Sequence, residues 1–471
     1  MKNMKSQTVV KGRYEKHNGN FLYKDKLLLS QRKGSVVEVT NNVVLIHTDV
    51  VGLDKVYYEI KDNKLIISNV MKDFIGNGAD EKFVDFLRKK GFVPYPYTIL
   101  KNVMKTPPGL ITKFSMNKNG EIVHEYLKSS ALEIFNVNKR FTKKGFKEEL
   151  TSIMLENAKD QKEIVSSFSG GFDSNLMTEI YRDKIKNILH FYEDEKIDIE
   201  SFKKLYPKAK WTIIDNNVPF TEADKKKYFE SIDEPCCDSA GFAEYLMAKS
   251  MKKITSKTDA AIMNGQLADA LFLNGRPYFE DFVSSKVPRH VRTLLSFKQH
   301  NKLITKFQNY SMDPKKKFMK FYFGNYHFPN KAQNEEIYGE ISKFYDIYRK
   351  AINNDSTNLF SACAIMLRSS LYGDEKLKTA AHALNTKYYA PFISENMMRC
   401  AFAIPSRYKV GFNLGKRILI NTFPEFKRTN IVVVRSFMPE RLKERLIGKI
   451  PERGEYLAFY ADNWLKYNLN M

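Results

Sequence analysis

Six consecutive residues, Ser169-Gly170-Gly171-Phe172-Asp173-Ser174, carry the densest chemical signal in the chain. Two adjacent glycines let the backbone approach an anion closely. Ser169 and Ser174 add hydroxyl donors, and a helix starting here adds its orphan N–H groups and the positive end of its dipole. Asp173 is the odd member, because a carboxylate beside phosphates is repulsive unless a cation intervenes. The combination asks for Mg2+ bridging phosphate and carboxylate. It is not a Walker loop, since the Gly-Lys-Ser/Thr ending is missing. The plain alternative is a Ser/Gly turn with Asp173 capping the helix. A second carboxylate, Asp269, lies in Asn264-Gly265-Gln266-Leu267-Ala268-Asp269-Ala270-Leu271-Phe272, and taken alone would be a helix-start carboxylate.

Both segments need a frame that brings them together. The apolar runs predict strands at 163–168, 188–192, 211–214 and 260–263, alternating with helices at 143–158, 174–182, around 202–206 and at 242–251. Strands alternating with helices imply a parallel sheet covered on both faces. In that setting the two acidic segments each follow a strand, so their carboxylates can converge on one pocket. The first ~125 residues differ: short β-branched or aromatic runs at 36–39, 43–47, 56–60 and 65–68 are separated by turn residues. A helix from about Asp80 to Lys90 is stopped by Gly91, and Lys118-Asn119-Gly120 is a hairpin turn. This predicts a mostly antiparallel β layer. Beyond about residue 285 the chain reads as mainly helical.

Composition closes off other classes. At 471 residues the chain suits two or three domains, and 34 Phe with 26 Tyr supply too much apolar surface for a disordered chain. With 22 Gly and 16 Pro, collagen-like and low-complexity readings fail. No apolar run approaches a membrane span, and the start lacks a signal-peptide core. Four cysteines without a C-x-x-C pair do not make a disulfide framework, and a reducing cytoplasm is expected. Cys236-Cys237 reads as loop packing. The formal charge of +23 is spread in short runs such as Lys225-Lys226-Lys227, which favours a solvated surface or an acidic small substrate or peptide over nucleic acid.

The glycine loop resembles the phosphate loop of the PP-loop ATP pyrophosphatases, and further segments narrow the resemblance to the asparagine synthetase-like family. Asp233-Glu234-Pro235-Cys236-Cys237-Asp238-Ser239 is similar to its D-E-P-x-x-D-x segment, and 264–272 to its S-G-E/Q-G-x-D-E-L-F segment. Ala390-Pro391-Phe392-Ile393-Ser394, with Ile404-Pro405 and Lys409, resembles its R-x-P-F-L-D…L-P…K block. Val56-Tyr57-Tyr58, 65–68, Lys72-Asp73-Phe74 and Thr106-Pro107-Pro108-Gly109 look like the tail of its glutaminase-type domain. The resemblance implies an α/β fold: a parallel-sheet PP-loop domain with a helical C-terminal extension at 140–471, preceded by a mostly antiparallel, vestigial glutaminase-like β domain at 1–130. It implies an ATP- and Mg2+-dependent ligase that adenylates a carboxylate, releases pyrophosphate and passes the acyl group to an amine. ATP would lie against Phe168, Ser169, Gly170, Gly171, Asp173, Ser174, His190, Asn264 and Gly265, and Asp173 and Asp269 would hold the metal. For His190 a core role is an equal reading from the residues alone.

The chain also departs from that family. The glutaminase works through an N-terminal Cys, whereas this chain begins Met1-Lys2-Asn3 and its first Cys is Cys236, so no glutamine hydrolysis is expected. The β layer is then a scaffold or a surface for a substrate, such as a precursor peptide, or for a partner protein. Members without that Cys, such as β-lactam synthetases and lasso-peptide cyclases, use the substrate's own amine. Gln266 stands where asparagine synthetases have Glu and cannot take a proton from the amine. The family's catalytic Lys is expected in an R-x-K-x-G-F-like segment; the nearest stretch offers Arg435, with Lys427 and Lys416 nearby, and Lys416 reads equally well as a helix-face charge. Gln266, Asp238, Lys427 and Arg435 are the catalytic or substrate candidates. The leading expectation is a ligase acting on a small-molecule or peptide carboxylate, with no membrane partner. An RNA-modifying PP-loop enzyme and a non-catalytic ATP- or partner-binding homologue are the rivals. Gly78-Ala79-Asp80-Glu81 imitates the metal segment but lies before an exposed-looking helix.

Overall fold

Apolar residues that alternate along short strands build the N-terminal part, and continuous apolar strands build the rest. The computed structural model describes residues 3–17, 20–22, 28–29, 33–136, 141–191, 199–214, 221–237, 239–255, 260–286, 313–324, 326, 328, 330–372, 375–410, 415–428, 453–469 and 471. The first strands are β1 (Thr8–Val10), β2 (Glu15–His17), β3 (Asn20–Leu22), β4 (Leu28–Leu29), β5 (Val36–Val39) and β6 (Val43–His47). They are followed by β7 (Tyr57–Lys61), β8 (Lys64–Ser68), β9 (Met104–Lys105), β10 (Leu110–Met116) and β11 (Ile122–Lys128).

All of these strands except β4 form two sheets, where the sequence suggested one layer. One, in the order β11-β10-β6-β5-β3-β2, is antiparallel throughout. The other, β1-β8-β7-β9, is antiparallel except for the parallel β1–β8 pair. Val37, Val44, Ile46 and Phe114 of the first meet Tyr58, Leu65 and Ile67 of the second in one buried cluster. The predicted hairpin is present: Asn117 Oδ1 accepts from the N–H groups of Asn119 and Glu121, both at 2.9 Å. Asp80 caps the helix Glu81–Lys90, so the segment that imitates the metal motif is a helix start.

The larger part is built on β12 (Glu163–Ser167), β13 (Ile185–Phe191), β14 (Lys210–Ile214), β15 (Ala260–Met263) and β16 (Lys387–Tyr389). The sheet runs β14-β13-β12-β15-β16-β4, and every pair is parallel. Ile164, Val165, Ala261 and Ile262 are fully buried, as expected of strands covered by helices on both faces. The sixth strand, β4, comes from the N-terminal segment and pairs Leu28 and Leu29 with Tyr388 and Tyr389. Counting β12 as the first of the five, their order is 3-2-1-4-5, which reverses direction between β12 and β15. Ligands bind at such a switch point, beyond the carboxyl ends of the strands. Beyond residue 313 the described chain is chiefly helical, from Pro314–Phe323 to Arg453–Leu469. The helix Ser356–Ala364 runs into a π-helical turn at Ile365–Ser369.

The two parts share one continuous hydrophobic core that reaches from Val50 and Phe86 to Trp464. Their seam also holds buried charge. Lys55 Nζ lies 2.8 Å from Glu234 and 3.0 Å from Glu375. Lys105 Nζ pairs with Glu234 and donates to the Val93 carbonyl at 2.8 Å. Asp233 accepts from the backbone N–H groups of Met71 and Lys72, and Tyr95 Oη lies 3.1 Å from Ser370 Oγ.

Candidate active site

At the switch point the sequence turns sharply out of β12. Gly170 adopts φ +73°, a conformation costly for residues with a Cβ. Gly171 is extended (φ −71°, ψ 165°) and is the N-cap of the helix Phe172–Ile180, with no side-chain cap on its first N–H groups. The helix therefore starts two residues earlier than the sequence suggested, and Asp173 lies in its first turn, not at the cap. Side chains pin the loop: Ser174 Oγ donates to the Gly171 carbonyl at 2.9 Å and lies 3.2 Å from Ser169 Oγ. Asn175 Nδ2 donates to the carbonyls of Gly170 and Gly171 at 3.0 and 3.1 Å. Uncapped N–H groups and the positive end of the helix dipole make this helix start suited to an anion.

The loop after β15 closes onto this one. Asn264 donates from Nδ2 to Glu244 Oε1 at 2.6 Å, and its Oδ1 accepts from the Gln266 N–H at 2.7 Å. Its own N–H bonds to the Tyr389 carbonyl at 2.9 Å. A Cβ on Gly265 would sit 3.1 Å from Met177 Cε and 3.6 Å from Asp173 Cβ, so the two loops are in contact. Leu267 takes φ +72° and leads into the short helix Ala268–Leu271 that carries Asp269. Asn274 Nδ2 donates to Asp269 Oδ1 at 2.9 Å.

Lys416 completes the constellation. Its ammonium pairs with Asp173 Oδ2 and lies 2.5 Å from Asp269 Oδ1. The Lys416 side chain is buried rather than displayed on a helix face. The residue holds φ +59°, and its N–H bonds to the Phe272 carbonyl at 3.0 Å. The preceding Gly415 has no room for a side chain, because a Cβ would lie 2.3 Å from Asn274 Cα. Close packing of glycine on Asn274 thus docks the Lys416 turn against the Asp269 turn. Burial raises the Asp173 carboxyl above its ordinary range, with Lys416 opposing and Asp269 adding to the rise. At Asp269 burial acts in the same upward sense, but Lys416 and Asn274 outweigh it and the carboxyl is held low. Burial would strip the Lys416 proton, yet the two carboxylates hold it above the usual lysine value.

The other expected residues fall as follows. Phe168 is a core side chain packed on Trp211, with ring centroids 5.4 Å apart. His190 is also buried, and its Nδ1 lies 2.7 Å from the Phe168 carbonyl. A carbonyl only accepts, so Nδ1 carries the proton, and burial keeps the ring neutral by lowering its pKa. Lys409 is fully buried beneath the Asp269 turn, donating to the Leu271 carbonyl at 3.0 Å and Asn358 Oδ1 at 2.8 Å; burial pushes it down to about 7. Cys236 and Cys237 are buried free thiols. Asp238 and Arg435, and the side chain of Lys427, lie outside the described residues. Sequence reasoning passed over Asn175 and Asn274 and left Lys416 open; the glycine immediately before Lys416 was the available hint.

Mg2+ at a phosphate site is usually held by one or two carboxylates together with substrate oxygens. Asp173 and Asp269 are such a pair. Asp173 Oδ1 is buried with no hydrogen-bond partner among the described residues, as an oxygen reserved for a ligand would be. The residues fit the cation. Among the described residues no group of three or more His, Cys, Asp or Glu could hold a metal alone; water and phosphate oxygens would fill the other positions.

A parallel sheet with its switch point between β12 and β15, an uncapped glycine-loop helix and two carboxylates converging on Lys416 define an α/β domain with its candidate site at the switch point. The asparagine synthase family model matches residues 145–425, and the chain belongs to that family. A Methanocaldococcus jannaschii protein named putative asparagine synthetase (glutamine-hydrolyzing) 2 is 22% identical over 288 residues, covering 55% of this chain and 53% of that protein. The chain thus matches about half the length of that relative. Among the described residues no helix is long and apolar enough to cross a membrane.

Proposed function

We propose that the protein adenylates a carboxylate with ATP, releasing pyrophosphate, and transfers the acyl group from AMP to an amine to form an amide. The observation that carries this reading is the convergence of Asp173, Asp269 and Lys416 on the uncapped start of the Phe172–Ile180 helix. In the first step a carboxylate oxygen attacks the α-phosphorus and the bond to the β-phosphate oxygen breaks. Charge gathers on the leaving pyrophosphate, where helix N–H groups, the Ser169 and Ser174 hydroxyls and the Lys416 ammonium can meet it. A divalent cation held by Asp173 and Asp269 would offset part of the same charge. In the second step the amine attacks the acyl carbon and AMP departs.

The amine source follows from what surrounds the site. No cysteine precedes Cys236, and the four cysteines are all buried, which supports an amine that does not arise from glutamine within this chain. Gln266 at the Asn264–Asp269 loop offers no base, which favours an amine that arrives neutral or belongs to the acceptor itself. A small-molecule or peptide carboxylate is the substrate class this reading favours, with the N-terminal sheets available to a precursor peptide. The test is ATP consumption over candidate carboxylates, with nucleotide products resolved by chromatography. AMP and pyrophosphate formed only with the right carboxylate are expected. Substrate-dependent ADP and orthophosphate would overturn the mechanism.

A further inference from the structure

The Lys416 ammonium lies where the charge of a divalent cation would lie, between Asp173 and Asp269. It meets Oδ2 of Asp173, and the same Oδ1 of Asp269 that Asn274 contacts. Its backbone is fixed by the hydrogen bond to Phe272 and by Gly415 packed on Asn274, so any exchange of partners must come from the lysine side chain alone. One ammonium between two carboxylates leaves a local charge of minus one. Adding a divalent cation alone would turn that to plus one, with two like charges forced together beside the buried Lys416 side chain. A polyphosphate entering with the cation removes the conflict, because its oxygens accept the ammonium and free both carboxylates.

We propose that Lys416 and the divalent cation are mutually exclusive partners of the Asp173–Asp269 pair, so that the cation binds only together with a polyphosphate that draws the ammonium onto itself. Lys416 is then a gate for the cation as well as a contact for the leaving group. The inference rests on the metal role proposed for the two aspartates. Its consequence is a strong positive coupling between cation and pyrophosphate, and a carboxylate pair kept from binding stray cations.

The test uses the full chain and Mn2+ as the probe, with free Mn2+ followed by electron paramagnetic resonance. In wild-type protein, inorganic pyrophosphate should tighten Mn2+ binding at least tenfold beyond the solution affinity of Mn2+ for pyrophosphate. Lys416→Met, checked for its fold by circular dichroism, should bind Mn2+ without pyrophosphate at least tenfold more tightly than wild type, and Asp173→Asn added to it should remove that gain. Wild type binding Mn2+ alone as tightly as Lys416→Met, or no coupling to pyrophosphate in wild type, would overturn the gate while leaving the metal site standing. Absence of Mn2+ binding in every form would overturn the gate and the metal role together. The wild-type coupling decides the matter even where Lys416→Met does not fold.

Discussion

Two lysine–carboxylate clusters can be set side by side in this chain. At the seam, Lys55 and Lys105 face Glu234 and Glu375, two charges of each sign, and all four side chains are 3% exposed or less. At the switch point one lysine faces two aspartates, and Asp269 is 57% exposed. The sealed cluster is neutral, and each of its four charges has an opposite-charge partner. The open cluster sets one contacting ammonium against two carboxylates, with Lys376 also acting on Asp269, and among the described residues one Asp173 oxygen has no hydrogen-bond partner. Buried charges tolerate low dielectric only when paired, so the seam is built to stay as it is. The switch-point cluster lacks that balance. The same residue types hold the architecture in one place and chemistry in the other, and balance and exposure tell them apart.

The largest expected effect is at the open cluster. Asp173→Asn keeps the shape of the turn but removes half of the carboxylate pair, and should lower pyrophosphate release on the order of a thousandfold. Its thermal midpoint should stay within a few degrees of wild type. Wild-type turnover in this variant would erase the contrast between the clusters.

The seam should respond the opposite way. Lys105→Met leaves Glu234 with one cation instead of two and should destabilise the fold by about 3 kcal/mol, read from urea midpoints. Turnover per folded molecule should change little. A loss of turnover without a loss of stability would place the seam inside the catalytic machinery.

Acid sharpens the comparison further. Burial alone would raise the Glu234 carboxyl, but Lys105 and Lys55 outweigh it and hold the group down at about 2. Since that value lies below the unfolded one of ~4.3, the unfolded chain binds more protons and stability falls as pH drops. The contribution is complete above about pH 5 and is lost toward pH 2. Glu234→Gln should flatten this part of the urea-midpoint profile. An unchanged acid limb would assign the loss to other carboxylates.

The smallest effect is an expected zero. Added glutamine should yield no glutamate from the purified protein, because the N-terminal sheets offer no cysteine nucleophile. Glutamate formation that vanished with the active-site variants would make the N-terminal part an amidotransferase after all.

Much of the architecture was legible because parallel strands buried on both faces are written as short continuous apolar runs, as in Glu163–Ser167 and Ala260–Met263. Asp173 was legible from the glycine loop that follows such a strand, and Asp269 through the resemblance of its segment to the family's. The strands β4 and β16 were not, since two or three residues carry no period. The start of the Phe172–Ile180 helix was misjudged because Asp173 suits a cap, whereas Gly171 takes that position. Lys416 was undecidable locally: 243 residues separate it from Asp173, and its left-handed backbone depends on Phe272 and Asn274. The local charge pattern alone could not reveal that partner.

Strand β4 gives the chain an unusual order of assembly. Leu28 and Leu29 find their partners only at Tyr388 and Tyr389, so the segment must wait for 360 further residues before its sheet is complete. Closing so long a loop adds little to the entropic cost beyond that of a shorter one, since the cost grows only with the logarithm of length. It does, however, mean that the segment between β3 and β5 reaches its final place only once β16 has been made. A nascent chain stopped short of residue 387 would carry a β4 segment without its ladder and a parallel sheet with an open edge at β15, the kind of edge that recruits other chains. The last edge strand of the parallel sheet is thus supplied by a segment 360 residues before the strand it pairs with.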